Sequence, residues 1–482
     1  MNLKQIAILL LITVLTGSLL LSCGGNRNGA TETDSIEIET VEPIDPELMT
    51  DYTDDEPTRD KLQALQASFE GLAPTPSSDF DLTVTADGNV TLTKYKGSSK
   101  NVRVPESVDG KTVTAIGDSA FADNTTIEML YLPDSIQSLG EGILTACESL
   151  TALRTPLLGA DAASEQYLGF LFGSSKYADN ARDVPATLSY LELGGTAKKL
   201  ADFALFDCND LICVTLPECM TELGTYSLYS CSSLQRINTE HLTEIADHAM
   251  DGCTSLTFLE LGTALQSVGL GALEGCMGLR TLILPFVGGA PTENTYLGYL
   301  FGAEAPELAK GYYPTYLSTV KLLSTCKTLG NYAFYQCQSL TSIELPEALT
   351  EVGIRAFNGC VRLKELRLPS AVKAIRENAF WGCISLSEIT FAENSALESV
   401  GVNAFYGCSA LTEIKLPQAL SKLSASCFAD CFSLETVDLG GVESVEKNAF
   451  RNCRALKSLT ARDGVRFADG NAYAESLLGA DD

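Results

Sequence analysis

Sixteen cysteines and two histidines are the side chains here with the most capacity for nucleophilic, redox or metal chemistry. So many cysteines in an exported chain would ordinarily form a disulfide framework, and in a reducing compartment a metal or redox set. Their spacing fits neither. Eleven of them (Cys147, Cys208, Cys231, Cys253, Cys276, Cys337, Cys360, Cys383, Cys408, Cys431, Cys453) close copies of one nine-residue element, and Asn124 closes another. Most closings fall one short period apart, as from Cys337 to Cys360 and on to Cys383; two intervals, Cys147 to Cys208 and Cys276 to Cys337, are much longer. Stacked copies would align these side chains in a column, and parallel directions do not give a disulfide its twisted geometry. Buried free thiols are expected. Cys213, Cys219, Cys326 and Cys427 stand outside the column. No Cys-x-x-Cys pair occurs, and His241 and His248, with Cys253 nearby, do not make a zinc spacing. GxSxG, phosphate-loop and HExxH elements are also lacking. The sequence therefore predicts neither an enzyme nor a metal or cofactor site. Lys+Arg 33 against Asp+Glu 62 gives a charge of −29, which argues against a nucleic-acid partner, since phosphate binding begins with cations.

The elements that would hold the column are repeated too. The closing element reads Leu329-Gly330-Asn331-Tyr332-Ala333-Phe334-Tyr335-Gln336-Cys337, and again from Val352-Gly353 through Ala356-Phe357 to Cys360. Between closings runs Leu340-x-x-Ile343-x-Leu345-Pro346, repeated from Leu363 to Pro369 and from Leu411 to Pro417. Alternation of Ile343 and Leu345 with Ser342 and Glu344 predicts a strand with one buried face. Pro346, lacking an N–H, ends it. The nonamer that follows predicts a single helical turn. One such unit buries about seven apolar side chains, worth roughly 2 kcal/mol each, while ordering its residues costs at least about 1 kcal/mol apiece. It cannot fold alone, so stacking must complete it. The prediction is an α/β solenoid with a parallel β-sheet on one face, short helical turns between strands, and an internal ladder that includes Phe334, Phe357, Phe380, Phe405, Phe428 and Phe450.

The LxxIxLP strand followed by IGxxAFxxC resembles the BspA-type leucine-rich repeat of bacterial surface proteins, over about residues 79–458. That resemblance implies a leucine-rich repeat solenoid and adhesion to host extracellular proteins or to other bacteria. It also implies an N-terminal β-hairpin cap, for which residues 79–104, with Asp87-Gly88 as the turn dipeptide, are the candidate.

The chain divides by composition. Residues 1–22 carry Lys4, an apolar run over 6–21 and Leu20-Leu21-Ser22 before Cys23, which resembles a lipoprotein signal with Cys23 as the acylated anchor. The run is shorter than the roughly 20 residues needed to span a bilayer. Residues 23–78 are expected to form an acidic, disordered tether with a short helix near its end. The solenoid is placed at 105–460 and a C-terminal end at 461–482. Inserts near 157–187 and 286–316 match each other position for position, Tyr167-Leu168-Gly169-Phe170-Leu171-Phe172-Gly173 against Tyr296-Leu297-Gly298-Tyr299-Leu300-Phe301-Gly302. The same offset carries Cys147 onto Cys276 and Cys208 onto Cys337, so a block of several repeats reads as a duplication. The apolar cores of the inserts are expected to pack on the solenoid edge.

Outward positions of the strands supply the candidate contacts. Tyr131, Arg154 and Glu192 begin the row; Arg236, Phe258, Glu260, Lys321, Glu344, Arg367, Glu388, Lys415 and Asp438 continue it, and Tyr312, Tyr313 and Tyr316 are added from the second insert. The expected function is noncatalytic: an exported protein, lipid-anchored to the outer membrane and displayed at the cell surface, recognising a protein partner through the sheet face and inserts. The alternative is a glycan-binding surface protein using the insert tyrosines.

Overall fold

A computed structural model describes residues 71–478, together with Ala67 and Phe69. The signal segment, Cys23 and most of the acidic stretch lie outside the described residues. Among the described residues no helix is long and apolar enough to cross a membrane.

The LxxIxLP segments form a parallel ladder, one strand per coil. A six-stranded sheet runs from Asn101–Arg103 through Met129–Tyr131, Ala152–Thr155, Tyr190–Leu193 and Cys213–Thr215 to Arg236–Ile237. Phe258–Glu260, Thr281–Leu284, Thr319–Leu322 and Ser342–Glu344 follow, then Glu365–Leu368 with Glu388–Phe391. Glu413–Lys415, Thr436–Asp438 and Ser458–Thr460 complete the face. Register is one-to-one, with Glu365 beside Glu388, Leu366 beside Ile389 and Arg367 beside Thr390. Each side chain therefore lies next to its own copy, and the buried aliphatic positions fuse into one core.

The nonamer differs from expectation. Its first residues make a second parallel ladder, as in Thr328–Leu329, Glu351–Val352, Ala374–Ile375 and Ser399–Val400. The rest is a train of turns, not a helical turn. Arg355 and Gly359, Asn378 and Gly382, and Asn403 and Gly407 have φ of 54° and 73°, 55° and 72°, and 54° and 71°. A left-handed residue at every fourth position stops a right-handed helix. It also frees backbone groups to reach the next coil: Phe357 N–H donates to Ala379 O (2.7 Å), Phe380 N–H to Ala404 O (2.8 Å) and Phe405 N–H to Cys427 O (2.9 Å).

This pairing brings the phenylalanines into a file. Rings of Phe334, Phe357, Phe380, Phe405 and Phe428 are fully buried, with centroids 5.1 to 5.2 Å apart and planes within 3° to 8°. The column cysteines serve the same file. Cys360 Sγ donates to Phe334 O (3.1 Å), Cys383 Sγ to Phe357 O (3.1 Å) and Cys431 Sγ to Phe405 O (3.2 Å). A thiol is small enough for the slot and polar enough to satisfy a buried carbonyl. The described cysteines are free, and of these Cys219 alone is exposed.

The inserts are long coils rather than edge decorations. Ala152–Thr155 pairs directly with Tyr190–Leu193, so the chain linking these neighbouring strands is much longer than in the ordinary coils. The apolar cores fold as 3-10 turns, Leu168–Phe172 and Leu297–Phe301, and occupy the nonamer's place in the stack. Leu144 N–H donates to Leu171 O (2.7 Å) on one side, and Leu168 N–H to Ala204 O (2.9 Å) on the other. The second long coil repeats both bonds, Leu273 N–H to Leu300 O and Leu297 N–H to Ala333 O, each 2.8 Å.

Local structure flanks the coils at both ends. Phe80–Val84 pairs antiparallel with Val90–Tyr95, and the latter joins Lys111–Ile116 in parallel. The sheet face already begins at Asn101–Arg103, inside the segment assigned to a cap. At the other end both ladders continue to Ser458–Thr460 and Arg466–Phe467, after which Asn471 and the one-turn helix Ala472–Glu475 cover the last coil. Asn471 Oδ1 accepts from Phe450 N–H (3.2 Å), and its amide donates to Glu446 O (2.8 Å).

Candidate binding face

The first coils of the sheet face are covered by the chain itself. Phe69 is 1% exposed, stacks on Tyr190 (5.6 Å) and leans on Tyr131 (6.3 Å). Thr75 N–H donates to Arg103 O (2.9 Å), Arg103 N–H returns to Thr75 Oγ1 (3.0 Å), and the Arg103 guanidinium reaches Phe69 O and Leu72 O (3.4 Å each). The tail of the segment expected to be a free tether is thus docked. Tyr131 is held between Arg103 and Arg154, whose guanidinium carbons stand 4.0 and 4.5 Å from its ring centre. Arg154 is itself buried: it donates to both Asp134 oxygens (2.9 Å), to Glu192 Oε1 (3.1 Å) and to Leu132 O (2.8 Å). Tyr131, Arg154 and Glu192 are internal contacts rather than free partner contacts.

Beyond this cover the candidates stand in two neighbouring files, Arg236, Phe258 and Glu388 at one strand position and Glu260, Lys321, Glu344, Arg367, Lys415 and Asp438 two residues further along. Arg236 is half-buried and Phe258 is 40% exposed, with Glu260 half-buried beside it. Lys321 pairs with Glu344 across adjacent strands (3.0 Å), and Arg367 with Glu347 (2.6 Å). Exposed pairs of this kind contribute at most about 1 kcal/mol to stability, so they are open to exchange with a partner's charges. Glu388, Lys415 and Asp438 come together in a cleft of about 770 Å³ that also takes in Phe391, Glu393 and Glu413. The cleft lies where the ladder is interrupted between Glu388–Phe391 and Glu413–Lys415, in the coil from Cys383 to Cys408, which is slightly longer than the coils on either side. Four carboxylates, those of Glu388, Glu393, Glu413 and Asp438, face one lysine there. Lys415 makes no ion pair among the described residues.

The insert tyrosines do not act as a set. Tyr312 and Tyr316 are 36% and 38% exposed, and Tyr316 carries the Arg280 guanidinium 5.0 Å from its ring centre. Tyr313 turns inward, its hydroxyl donating to Tyr335 O (3.0 Å) and its ring edge-on to Phe301 (6.1 Å). Burial pushes its hydroxyl well above the ordinary phenol range. A different aromatic group escaped the sequence reading. On the outer turn face Tyr177, Phe203, Tyr226 and His248 stack in succession (4.3, 5.6 and 5.0 Å), with Phe206 on Tyr229 alongside (4.8 Å). Its signal was present: aromatic residues recur at the fourth and seventh nonamer positions of consecutive copies. His241 and Cys253 are engaged elsewhere, with Met220 O and Leu228 O.

The family model for the BspA type Leucine rich repeat region matches six copies, over residues 95–158, 185–287, 309–396 and 394–479. The chain belongs to the BspA-type leucine-rich repeat family. Among solved structures, it is similar to a leucine rich cell surface protein from Faecalibacterium prausnitzii, at 20% identity over 84% of this chain and 98% of that one, TM-score 0.31. A leucine-rich repeat protein from Bacteroides ovatus is 17% identical over 82% of this chain and 100% of its own, TM-score 0.32. No curated protein matches the chain.

Proposed function

We propose that this BspA-type repeat protein is a noncatalytic, lipid-anchored surface protein that binds a protein partner along the uncovered part of its sheet face. The observation that carries the reading is the acidic cleft at Glu388, Glu413 and Asp438, opened on the sheet face where the ladder is interrupted. An excess of carboxylates selects a partner that presents basic side chains. The repeat family supports display over catalysis, by analogy with what stacked coils offer: a long, rigid surface. The partner class implied by the family is a host extracellular protein or another bacterial surface.

The test is affinity capture with a soluble form beginning at Lys61, which keeps the Phe69 clasp. A partner retained by the unaltered protein and reduced at least tenfold by Glu388→Lys and by Asp438→Lys supports the proposal; equal retention on both variants removes the cleft from it. The stacked rings on the turn face favour a second reading, glycan binding, because sugar faces pack on half-exposed aromatic rings. Binding on a glycan array that disappears in Tyr229→Ala, with no effect of the cleft reversals, would select it.

Anchoring through Cys23 is part of the same proposal. Cys23→Ala is expected to abolish acylation and cleavage at that residue and to release the protein from the outer-membrane fraction, read by metabolic labelling with a fatty acid analogue and by fractionation. Normal membrane retention of the variant would remove the lipid anchor.

A further inference from the structure

His248, Asp251 and Glu274 converge at the end of the aromatic file. His248 Nδ1 is buried and makes no hydrogen bond. It stands 3.5 Å from Asp251 Oδ2 and 3.4 Å from Glu274 Oε2, and the three donor atoms lie within 4.8 Å of one another. A cation held tetrahedrally about 2.0 to 2.1 Å from its ligands would place those ligands roughly 3.3 to 3.4 Å apart. The two distances from His248 Nδ1 match that ligand-to-ligand spacing.

Backbone bonds between coils hold the three residues in place. His248 N–H donates to Leu270 O (3.1 Å), Gly252 N–H to Glu274 O (2.8 Å) and Gly271 N–H to Tyr299 O (3.0 Å). Two glycines make the room. Gly271 (φ 64°) takes the fourth nonamer position, where Tyr226 and His248 sit in the preceding copies, so the file of rings stops at His248. A Cβ at Gly271 would lie 2.8 Å from His248 Nδ1, and one at Gly302 would lie 2.6 Å from Glu274 Oε2.

The duplicated block supplies an internal comparison. Aligned insert on insert, Gly271 and Gly302 correspond to Gly142 and Gly173, while His248, Asp251 and Glu274 correspond to Ser119, Ala122 and Thr145. The backbone bond is kept, Gly142 N–H to Phe170 O, but Thr145 Oγ1 simply donates to Gly142 O (3.0 Å) and Phe172 O (3.2 Å). The fold of the long coil thus does not require a histidine and two carboxylates there.

We propose that His248, Asp251 and Glu274 bind a divalent cation of the zinc class, bridging the coil that carries His248 and Asp251 to the coil that carries Glu274. One imidazole and two carboxylates suit zinc and its first-row neighbours better than magnesium or calcium. Three protein ligands leave the remaining position to water or to a group from a partner.

The test is calorimetric titration of the metal-free full chain with zinc chloride. One equivalent is expected to bind saturably, with affinity reduced at least tenfold in His248→Ala and in Glu274→Gln, and unchanged in Cys219→Ser, which controls for the exposed thiol. Cobalt substitution should give visible ligand-field bands without a sulfur-to-cobalt charge-transfer band. The proposal is overturned by the absence of saturable binding, by affinity as high as that of the unaltered protein in His248→Ala or Glu274→Gln, by loss of binding in Cys219→Ser, or by a sulfur-to-cobalt band. Asp251→Asn, nearly equal in volume to the native residue, repeats the comparison if either first variant is poorly folded. Failure here would leave the sheet-face capture result untouched.

Discussion

Replacing Phe380 by alanine is expected to destabilise the solenoid by about 3 to 5 kcal/mol, as truncation of a fully buried aromatic ring generally does. The ring is 0% exposed and lies between Phe357 (5.1 Å, 5°) and Phe405 (5.1 Å, 3°). Alanine there takes a contact face from both neighbours and opens a cavity that the coils cannot close, because their separation is fixed by the ladders on either side. Phe450 is the control: it is 6% exposed and its described ring contact is with Phe428 alone (5.9 Å). Phe450→Ala should cost less. Urea unfolding followed by circular dichroism measures both. Since coils are coupled mainly to their neighbours, the Phe380 variant should also separate unfolding into two steps, one for each side of the break. A change below about 1 kcal/mol would mean that the phenylalanine file is not the core.

Alkaline pH is expected to unfold the protein steeply between about pH 9 and 10.5. Burial pushes the thiols of Cys231 and Cys337 up to about 12. Cys360, Cys383, Cys408 and Cys431 are raised well above their ordinary range by burial and, secondarily, by the thiol of an adjacent coil. In the unfolded chain these thiols ionise near their ordinary value of about 8.5. Above that pH the unfolded state holds fewer protons than the folded one, so stability is complete below it and is lost as pH rises toward the folded values. Each thiol removes about 1.4 kcal/mol per pH unit in that window. Six acting together remove about 8 kcal/mol per unit, comparable to the whole stability of an ordinary domain. Circular dichroism and thiolate absorbance near 240 nm should therefore change at one midpoint. Retention of native dichroism beyond pH 11.5 would contradict the linkage.

The repeat was legible in the sequence because stacking repeats one burial pattern: Ile343, Leu366 and Ile414 alternate with polar residues in copy after copy, and Cys360 or Phe357 recurs at fixed offsets. What was missed depends on backbone sign and on distant contacts. The Asn and Gly residues at 378, 382, 403 and 407 carried the signal for left-handed turns, but the apolar spacing of the nonamer reads equally well as a helical turn. Tyr313 could not be distinguished from Tyr312 and Tyr316, since which of three nearby rings turns inward depends on Phe301 and Tyr335. Phe69 lies in the short stretch whose weak helical pattern gave no sign of docking, because its pocket is built from Tyr131 and Tyr190, far along the chain. The cleft arises where a slightly lengthened coil interrupts a ladder, an effect visible only once strands are paired.

The Phe69 clasp makes the two ends of the molecule unequal. A ligand laid across the strands from the far end meets Asp438, Lys415 and Glu388 before Tyr190, and there it runs into the ring of Phe69. That ring works as a stop on a ruler: it sets how many coils can be read, and lifting it would lengthen the legible scale without changing a single mark.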